Sequence, residues 1–259
     1  MPRTSEPGRS VSSRLLDVLF AFEPGRSEMS LSDLVRSTGM PFATVRRYAL
    51  ELTEAGALKR DAQGIFTVGL KLWRLGTLAP FTEPLRSQAQ PFMEDLYTAL
   101  RQHVQLAVLE GDEAVVIERL SAPSALGLVS QVGGRLPLHC SAVGKILLSH
   151  APAEVVDSIL DRGLRAYTPQ TITDPARLRA ELARCRSTGT AAVRAELSEG
   201  AHSYAARILN TEGRVVAALS VVVRAGSVKE HAILPAVVTS GLSISRLLGW
   251  QPTVRVRTD

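Results

Sequence analysis

The chain has 259 residues, of which 45% are hydrophobic and 21% charged, a balance typical of a folded globular protein and not of a disordered one. No apolar run approaches the roughly 20 residues of a membrane span, and the polar start MPRTSEPGRS has no apolar stretch of the signal-peptide type. The two cysteines, Cys140 and Cys185, lie far apart in the sequence, which disfavours a disulfide framework. We therefore expect a cytoplasmic protein of one large domain or two ordinary ones.

The net charge is +5, and arginine supplies 26 of the 30 basic residues. Residues 1–80 carry 11 basic and 8 acidic residues, so this shorter part has the higher density of positive charge. Such a surplus is consistent with nucleic-acid binding, because arginine binds phosphate and guanine well. A GC-rich genome would also enrich arginine, so the charge alone does not establish a function.

The first 68 residues have the pattern of three helices followed by a hairpin. An amphipathic helix over 10–22 is stopped by a Pro-Gly pair. A capping-box pattern begins a second helix at Ser30, and Gly39 ends it. A third helix starts at Pro41, since proline is tolerated in a first turn. Its apolar stripe consists of Val45, Tyr48, Ala49 and Leu52.

The third predicted helix carries Arg46 and Arg47 on or beside the face opposite that stripe. Residues 58–68 then predict a strand, a turn and a second strand, and this hairpin contains Lys59 and Arg60. Two helices joined by a glycine turn, an exposed basic face and a basic hairpin together indicate a winged helix-turn-helix that binds double-stranded DNA. A three-helix bundle with a solvated basic face has the same periodicity and is the alternative.

The remaining chain alternates between helical and strand-like patterns. We predict helices at 67–78, 83–103, 141–149, 153–161, 175–187 and 229–248. We predict strands at 104–109, 114–120, 126–132, 191–194, 202–210 and 214–223. Helices grouped around a mostly antiparallel sheet give an α+β domain.

Several segments resemble the IclR family of bacterial transcription regulators. The stretch SLSDLVRSTGMPFATVRRYALELTEAGALKRDAQGIFTVGLKLWRLG is similar to the family's DNA-binding module, and LVSQVGGRLPLHCSAVGKILLS to the hallmark segment of its effector domain. The pieces TPQTITDPARLRAELARCRSTG, ELSEG and GRVVAALSVVV follow in family order, so the resemblance covers about residues 10–249. It implies a winged helix-turn-helix domain at 1–66, a linker helix at 67–80, a GAF-like effector-binding domain at 81–250 and a tail at 251–259.

The resemblance extends the predicted DNA contacts to the start of the third helix. Relatives often begin this helix Pro-Lys-Ser-Thr-Val, whereas this chain has PFATV from residue 41, so an operator sequence cannot be transferred. We expect the DNA-contacting residues to be Phe42, Ala43, Thr44, Arg46, Arg47, Lys59 and Arg60.

A loop enters a helix at Leu138–Lys145, where free N–H groups at a helix start attract anions. Ser141 suits the N-cap and Gly144 permits close approach, although from spacing alone an ordinary capped helix is the simpler interpretation. Relatives often carry polar groups at the positions of Val193 and Val222, so we expect a small organic acid with an apolar part. The resemblance implies an effector pocket formed by Leu128, Ser141, Ala142, Val143, Val193, Ser203, Ser220 and Val222.

The combined prediction is a ligand-responsive transcription regulator that binds a DNA operator as a homodimer, or as the homotetramer that the resemblance implies. Candidate dimer contacts are Leu72, Trp73 and Leu75 of the linker. The sequence itself leaves repression and activation open, and we expect repression of metabolic genes. We expect no catalytic residues, cofactor, metal site or membrane contact, since His139, Cys140 and Cys185 lack the short spacing of zinc ligands. The alternative is a small-molecule sensor or enzyme whose N-terminal domain mediates protein contacts.

Overall fold

The structure of the protein is a computed structural model, which describes residues 10–23, 25–76, 78, 82–121, 131–228 and 230–252. The chain divides into two compact units, Met1–Pro80 and Phe81–Asp259, and each is described by itself. The helices of the described ranges are all too short or too polar to cross a membrane.

As far as it is described, the N-terminal unit contains four helices and a three-stranded antiparallel sheet. The helices are α1 (Val11–Leu19), α2 (Leu31–Thr38), α3 (Phe42–Glu54) and α4 (Leu70–Gly76), and the strands are β1 (Glu28–Met29), β2 (Leu58–Arg60) and β3 (Phe66–Val68). Strand β3 lies between β1 and β2. The β2–β3 hairpin is predicted from the sequence, whereas β1 is not, because two residues are too few to show an alternating pattern.

Local signals explain where α2 begins and ends and how α3 packs. The Ser30 hydroxyl accepts a hydrogen bond from the Asp33 N–H, and the Asp33 carboxylate accepts one from the Ser30 N–H, so the predicted capping box forms. Gly39 ends α2 at a φ of +65°, a left-handed conformation that glycine adopts without strain. The predicted stripe of α3 is buried in the core of this unit and consists of Val45, Tyr48, Ala49 and Leu52.

The linker helix is shorter than predicted. Thr67 and Val68 lie in β3, where they pair with β2, because β-branched residues fit a pleated strand. Gly69 has no room for a side chain, since a Cβ there would lie 2.3 Å from the carbonyl oxygen of Gly56. The helix therefore begins only at Leu70.

The C-terminal unit is built on a six-stranded antiparallel sheet. Its described strands are β4 (His103–Glu110), β5 (Glu113–Leu120), β6 (Arg135–Pro137), β7 (Thr190–Arg194), β8 (Ala201–Leu209) and β9 (Val215–Arg224), in the spatial order β6-β5-β4-β9-β8-β7. Its described helices are α5 (Thr82–Leu100), α6 (Ala142–His150), α7 (Ala153–Asp161), α8 (Pro175–Thr188) and α9 (Glu230–Leu247). The predicted α+β class is confirmed.

Helices cover both faces of this sheet. The α5 and α9 helices pack on one face, and α6 packs on the other with α8 against it. Side chains alternate along each strand, so one set faces α5 and α9 and the next set faces α6. The set toward α5 and α9 forms a core of large apolar residues that includes Val104, Leu106, Tyr204, Ile208, Leu219 and Val221.

Two predicted elements of this unit differ from the structure or fall outside it. Helix α5 was expected to reach His103 but ends at Leu100, because Arg101 adopts a φ of +52° and His103 pairs with Val222 as the first residue of β4. The predicted strand at 126–132 falls mainly on residues outside the described ranges. Its described end lies in a turn, where the Gly134 N–H donates to the carbonyl of residue 131.

Candidate DNA interface and effector pocket

Helix α3 exposes most of the residues assigned to DNA contacts. The exposed residues are Phe42, Ala43, Arg46 and Arg47, and Thr44 is half-buried. Arg46 has no hydrogen-bond or ion-pair partner within the described part of the chain, so its guanidinium is available to a ligand. Arg47 instead lies 3.8 Å from the Glu51 carboxylate and 4.9 Å over the Tyr48 ring.

The hairpin carries two exposed cations at consecutive positions of β2. Lys59 and Arg60 are exposed on β2, and the Arg60 guanidinium lies 5.4 Å from the centre of the Phe66 ring. The turn is closed by the Asp61 carboxylate, which accepts a hydrogen bond from the Ile65 N–H at 2.8 Å. The β2–β3 hairpin, which is the wing of the winged helix-turn-helix, is therefore short, is closed by this hydrogen bond and has exposed basic residues on its edge strand.

A pocket lies between the six-stranded sheet and the N-terminus of α6. The empty space at this site is about 470 Å³, the solvent at its mouth included. Leu128, one of the eight predicted effector residues, lies outside the described ranges. The other seven line the pocket: Ser141, Ala142, Val143, Val193, Ser203, Ser220 and Val222.

The strand register explains why there is space above this face of the sheet. Ser220 on β9 pairs with Gln105 on β4, and Ser203 on β8 pairs with both Val222 and Val193. All five side chains lie on the α6 side of the sheet and line the pocket. The neighbouring positions on that side are the small residues Ala107, Ala205 and Ala218. Short side chains on the sheet leave room that large ones would fill.

The start of α6 forms the opposite wall. The Ser141 side chain caps the helix, accepting a hydrogen bond from the Gly144 N–H at 3.1 Å and donating to a carbonyl oxygen at 2.7 Å. A Cβ on Gly144 would lie 2.6 Å from the Leu138 Cα, so only glycine allows this close approach. The N–H groups of Ala142 and Val143 belong to the first turn and have no acceptor within the helix. Together with the helix dipole, they favour an anion in the pocket.

A buried ion pair joins α6 to the loop after β7. The Lys145 side chain is fully buried, and its Nζ lies 2.6 Å from Oε1 of Glu196. The backbone of Glu196 is fixed by the Thr171 hydroxyl, which donates to its carbonyl at 2.6 Å. Leu197 and Ser198, the next residues of the loop, line the pocket. The ion pair therefore fastens one wall of the pocket to the other.

Sequence reasoning missed the ion pair and several lining residues. The pocket is also lined by Gln105, Leu136, Leu197, Ser198 and Ala201. Gln105 could have been found, because it is the one polar residue within the apolar run Val104–Leu109, and the structure buries it almost fully. Leu197 and Ser198 lie in an irregular loop, where no periodic pattern indicates which side chains face inward.

The two cysteines are buried free thiols. Burial raises the pKa of Cys140 to about 12 and that of Cys185 to about 11. His139 donates a hydrogen bond from Nε2 to the Arg165 carbonyl at 2.9 Å. Within the described ranges, no group of three or more His, Cys, Asp or Glu side chains is arranged to hold a metal ion.

Comparison with known proteins finds a matching family model for each of the two units. The family model for the IclR helix-turn-helix domain matches residues 12–62, and the model for the C-terminal part of the bacterial transcriptional regulator IclR matches residues 82–246. The chain belongs to the IclR family. This confirms the resemblance seen in the sequence and the predicted class of function, a DNA-binding transcription regulator with a ligand-binding domain.

Relatives within the IclR family are similar over most of their length. The transcriptional regulator KipR of Bacillus subtilis is 32% identical over 212 residues, which are 82% of this chain and 84% of KipR. The transcriptional repressor AllR of Salmonella typhi is 30% identical over 256 residues, which are 97% of this chain and 94% of AllR. An IclR homologue of Microbacterium hydrocarbonoxydans, solved in complex with 4-hydroxybenzoate, superimposes with a TM-score of 0.86 at 34% identity, covering 93% of this chain and 99% of that one.

Proposed function

We propose that this IclR-family regulator is a repressor whose affinity for its operator is controlled by a small organic acid that binds in the pocket of the C-terminal unit. The main support is that seven positions predicted for the effector line one pocket at a helix N-terminus. Residues 1–68, to the end of β3, bind the operator, residues 81–250 bind the acid, and the segment between them, which contains α4, connects the two. The acid acts by binding two states of the protein with different affinity. The protein works in the cytoplasm, where its operator is, and has no catalytic role.

The chemistry of the pocket favours an acid with an apolar body. The first-turn N–H groups of α6 stabilise a carboxylate. Val143, Val193 and Val222 suit an apolar part, because a polar group buried beside them would lose its hydrogen bonds to water. Ser203 and Ser220 supply hydroxyls for one further polar group. The Microbacterium relative, solved with an aromatic acid, supports this class of effector.

Calorimetry on the full chain tests the effector class. Aromatic and branched-chain acids should bind the wild type more tightly than acids of the size of glyoxylate. Val143→Trp fills the pocket and should abolish binding, whereas Val216→Trp, at an exposed position of β9 away from the pocket, should not. An acid at 100 times its dissociation constant should also stabilise the wild type by about 2.7 kcal/mol. Binding of only the smallest polar acids, or binding untouched by Val143→Trp, would contradict the proposal.

Operator binding tests the placement of α3. Arg46→Ala removes an available guanidinium and should weaken binding by about 1–3 kcal/mol with relaxed specificity. Arg47→Ala should also weaken binding, and an unchanged operator affinity at physiological salt would contradict the orientation of α3. As a matched control, Arg179→Ala removes an exposed arginine of the C-terminal unit that pairs with Asp157 at 2.8 Å, and should leave DNA binding intact.

The wing is expected to contact the DNA backbone. Arg60→Ala should weaken binding to all DNA sequences alike, because a phosphate contact is lost. The slope of the logarithm of the affinity against the logarithm of the salt concentration should become shallower by about 1. Arg46→Ala, in contrast, should weaken the operator more than random DNA. If the wild type shows no salt-dependent retention on DNA, the alternative in which the N-terminal unit contacts another protein is favoured.

The operator-binding form is a homodimer, and two dimers can assemble into a tetramer. One winged helix buries too little surface for tight specific binding, so two half-sites are needed. Helix α1 with its C-cap residue, and helix α4, leave several large apolar side chains exposed, namely Val11, Leu16, Phe20, Leu70, Trp73 and Leu75. Leu72, expected at the dimer contact, instead packs against the core of the unit. Trp73→Glu should dissociate the dimer in sedimentation. A wild-type monomer that binds one half-site tightly would contradict the assembly.

A further inference from the structure

The recognition helix begins with an exposed aromatic ring. Phe42 is the first residue of α3, and 55% of its surface is exposed. Ala43 beside it is exposed as well, and Arg46 lies one helical turn further on the same side as Phe42. Within the described part of the N-terminal unit, this surface of Phe42, Ala43 and Arg46 is left open to solvent.

The charges along α3 indicate which end of the helix approaches DNA. Its exposed residues include Arg46 and Arg47 in the N-terminal half, and Glu51 and Glu54 in the C-terminal half. Phosphates attract the first pair and repel the second. In a helix-turn-helix, the N-terminal residues of the recognition helix contact base edges in the major groove. The ring of Phe42 therefore belongs to the end that meets the bases.

An apolar contact in the major groove favours one base. Adenine, guanine and cytosine present hydrogen-bonding groups there, whereas thymine also presents its C5-methyl group. Phenyl and methyl side chains cannot replace the water that a buried donor or acceptor loses, but they can bury a methyl group. We propose that Phe42, together with Ala43, reads the methyl group of a thymine in each operator half-site.

A second copy of the chain is a less suitable cover for this ring. Two copies pressed together at this surface would bring Arg46 and Arg47 of both copies close to one another, and like charges oppose such a contact. The polyanionic duplex is complementary to the same charges. The exposed apolar residues of α1 and α4 remain available for the dimer.

Substitution of the DNA bases tests the proposal, which rests on operator binding by α3. An operator is first selected from random duplexes with the full chain, and each thymine is then replaced by deoxyuridine, which pairs identically and lacks only the methyl group. In each half-site, one thymine should be sensitive to this replacement. Replacing that single thymine should lower the affinity about fourfold, the effect expected when one buried methyl group is lost. Cytosine at that position should bind more weakly than thymine, and 5-methylcytosine should recover part of the loss.

Two protein variants assign the effect to Phe42. Phe42→Ser should bind the thymine and deoxyuridine operators equally. Phe20→Ser removes another exposed phenyl group, at the end of α1, and should keep the fourfold ratio whatever its absolute affinity. The proposal is overturned if no deoxyuridine weakens binding, or if Phe42→Ser keeps the ratio, while the wild type still selects an operator. If the wild type selects no operator, DNA recognition itself fails, and this inference fails with it.

Discussion

The two faces of the six-stranded sheet are built by the same strands and serve different purposes. Toward α5 and α9, alternate residues are large and apolar, such as Leu106 and Leu219. Toward α6, the intervening residues include alanines and short polar residues, such as Ala205 and Ser220, beside the longer Gln105 and the two valines of the pocket. One face is a closed core, and the other encloses a pocket. Because side chains alternate with a period of two, strand β9 contributes to both.

This difference means that stability and ligand specificity can be altered at neighbouring positions of one strand. Substitutions toward α5 and α9 should lower stability without changing which ligand binds. Substitutions at the pocket lining should change the ligand and lower stability less. The buried ion pair on the α6 side is the exception, because it holds two walls of the pocket together.

The largest effect is expected at this ion pair. Lys145→Met leaves Glu196 buried without its cation, which should destabilise the C-terminal unit by about 3–5 kcal/mol. The free energy is measured by urea denaturation in a Trp73→Phe background. The chain has two tryptophans, so Trp250 then reports the C-terminal unit alone.

A double variant separates lost charge pairing from lost packing. Lys145→Met combined with Glu196→Gln removes both partners and should recover part of the stability, because no unpaired charge remains at Glu196. If Lys145→Met alone is as stable as the wild type, apolar packing is sufficient to hold the two walls of the pocket together.

The next largest effect is a difference in the loss of stability between substitutions at two buried positions of β9. Leu219→Ala leaves a cavity in the closed core and should cost about 2–5 kcal/mol. Val222→Ala enlarges an existing pocket and removes only two methyl groups, so it should cost less than about 2 kcal/mol. Calorimetry should show a changed preference among acids only for Val222→Ala. Equal losses of stability would contradict the difference between the faces.

Features that depend on neighbouring residues could be predicted from the sequence, and features that depend on distant pairing could not. The capping box at Ser30 and the bounds of α7 follow from patterns within a few turns. The end of α5 was wrong because His103 is held in β4 by pairing with Val222, which lies on another strand. No window of the sequence contains both residues of that pair.

The same limit applies to the pocket. Spacing alone identified Ser141 as a helix cap but did not point to Ser203 or Ser220, which entered through the family resemblance. Lys145 and Glu196 are 51 residues apart, so no local pattern links them. A polar residue within an apolar run is the one signal that a sequence offers for such positions, and it was present at Gln105.

A smaller effect is expected at the two helix caps of the α6 side. Ser141→Ala and Asp174→Ala each remove the side chain that caps a helix, α6 and α8 respectively, and each should cost about 1 kcal/mol. Of these two capping residues, only Ser141 lines the pocket. The acid should therefore bind more weakly to Ser141→Ala and equally well to Asp174→Ala. Weakened binding in both variants would mean that helix stability controls affinity, and not the wall at Ser141.

The smallest effect is expected at the two thiols, which report how far the pocket opens toward the interior. Cys185 packs in the apolar cluster on the α6 side, and Cys140 directly precedes Ser141. With pKa values raised by burial to about 12 and about 11, only about one Cys140 in ten thousand and one Cys185 in a thousand is ionised at pH 8, and the thiolate is the reactive form. A thiol reagent should therefore label neither cysteine in the native protein within minutes and both in urea. If the reagent labels Cys140 in the native protein and a bound acid prevents this labelling, the pocket extends to Cys140. The α6 side of the sheet would then be open well beyond the residues that line the pocket.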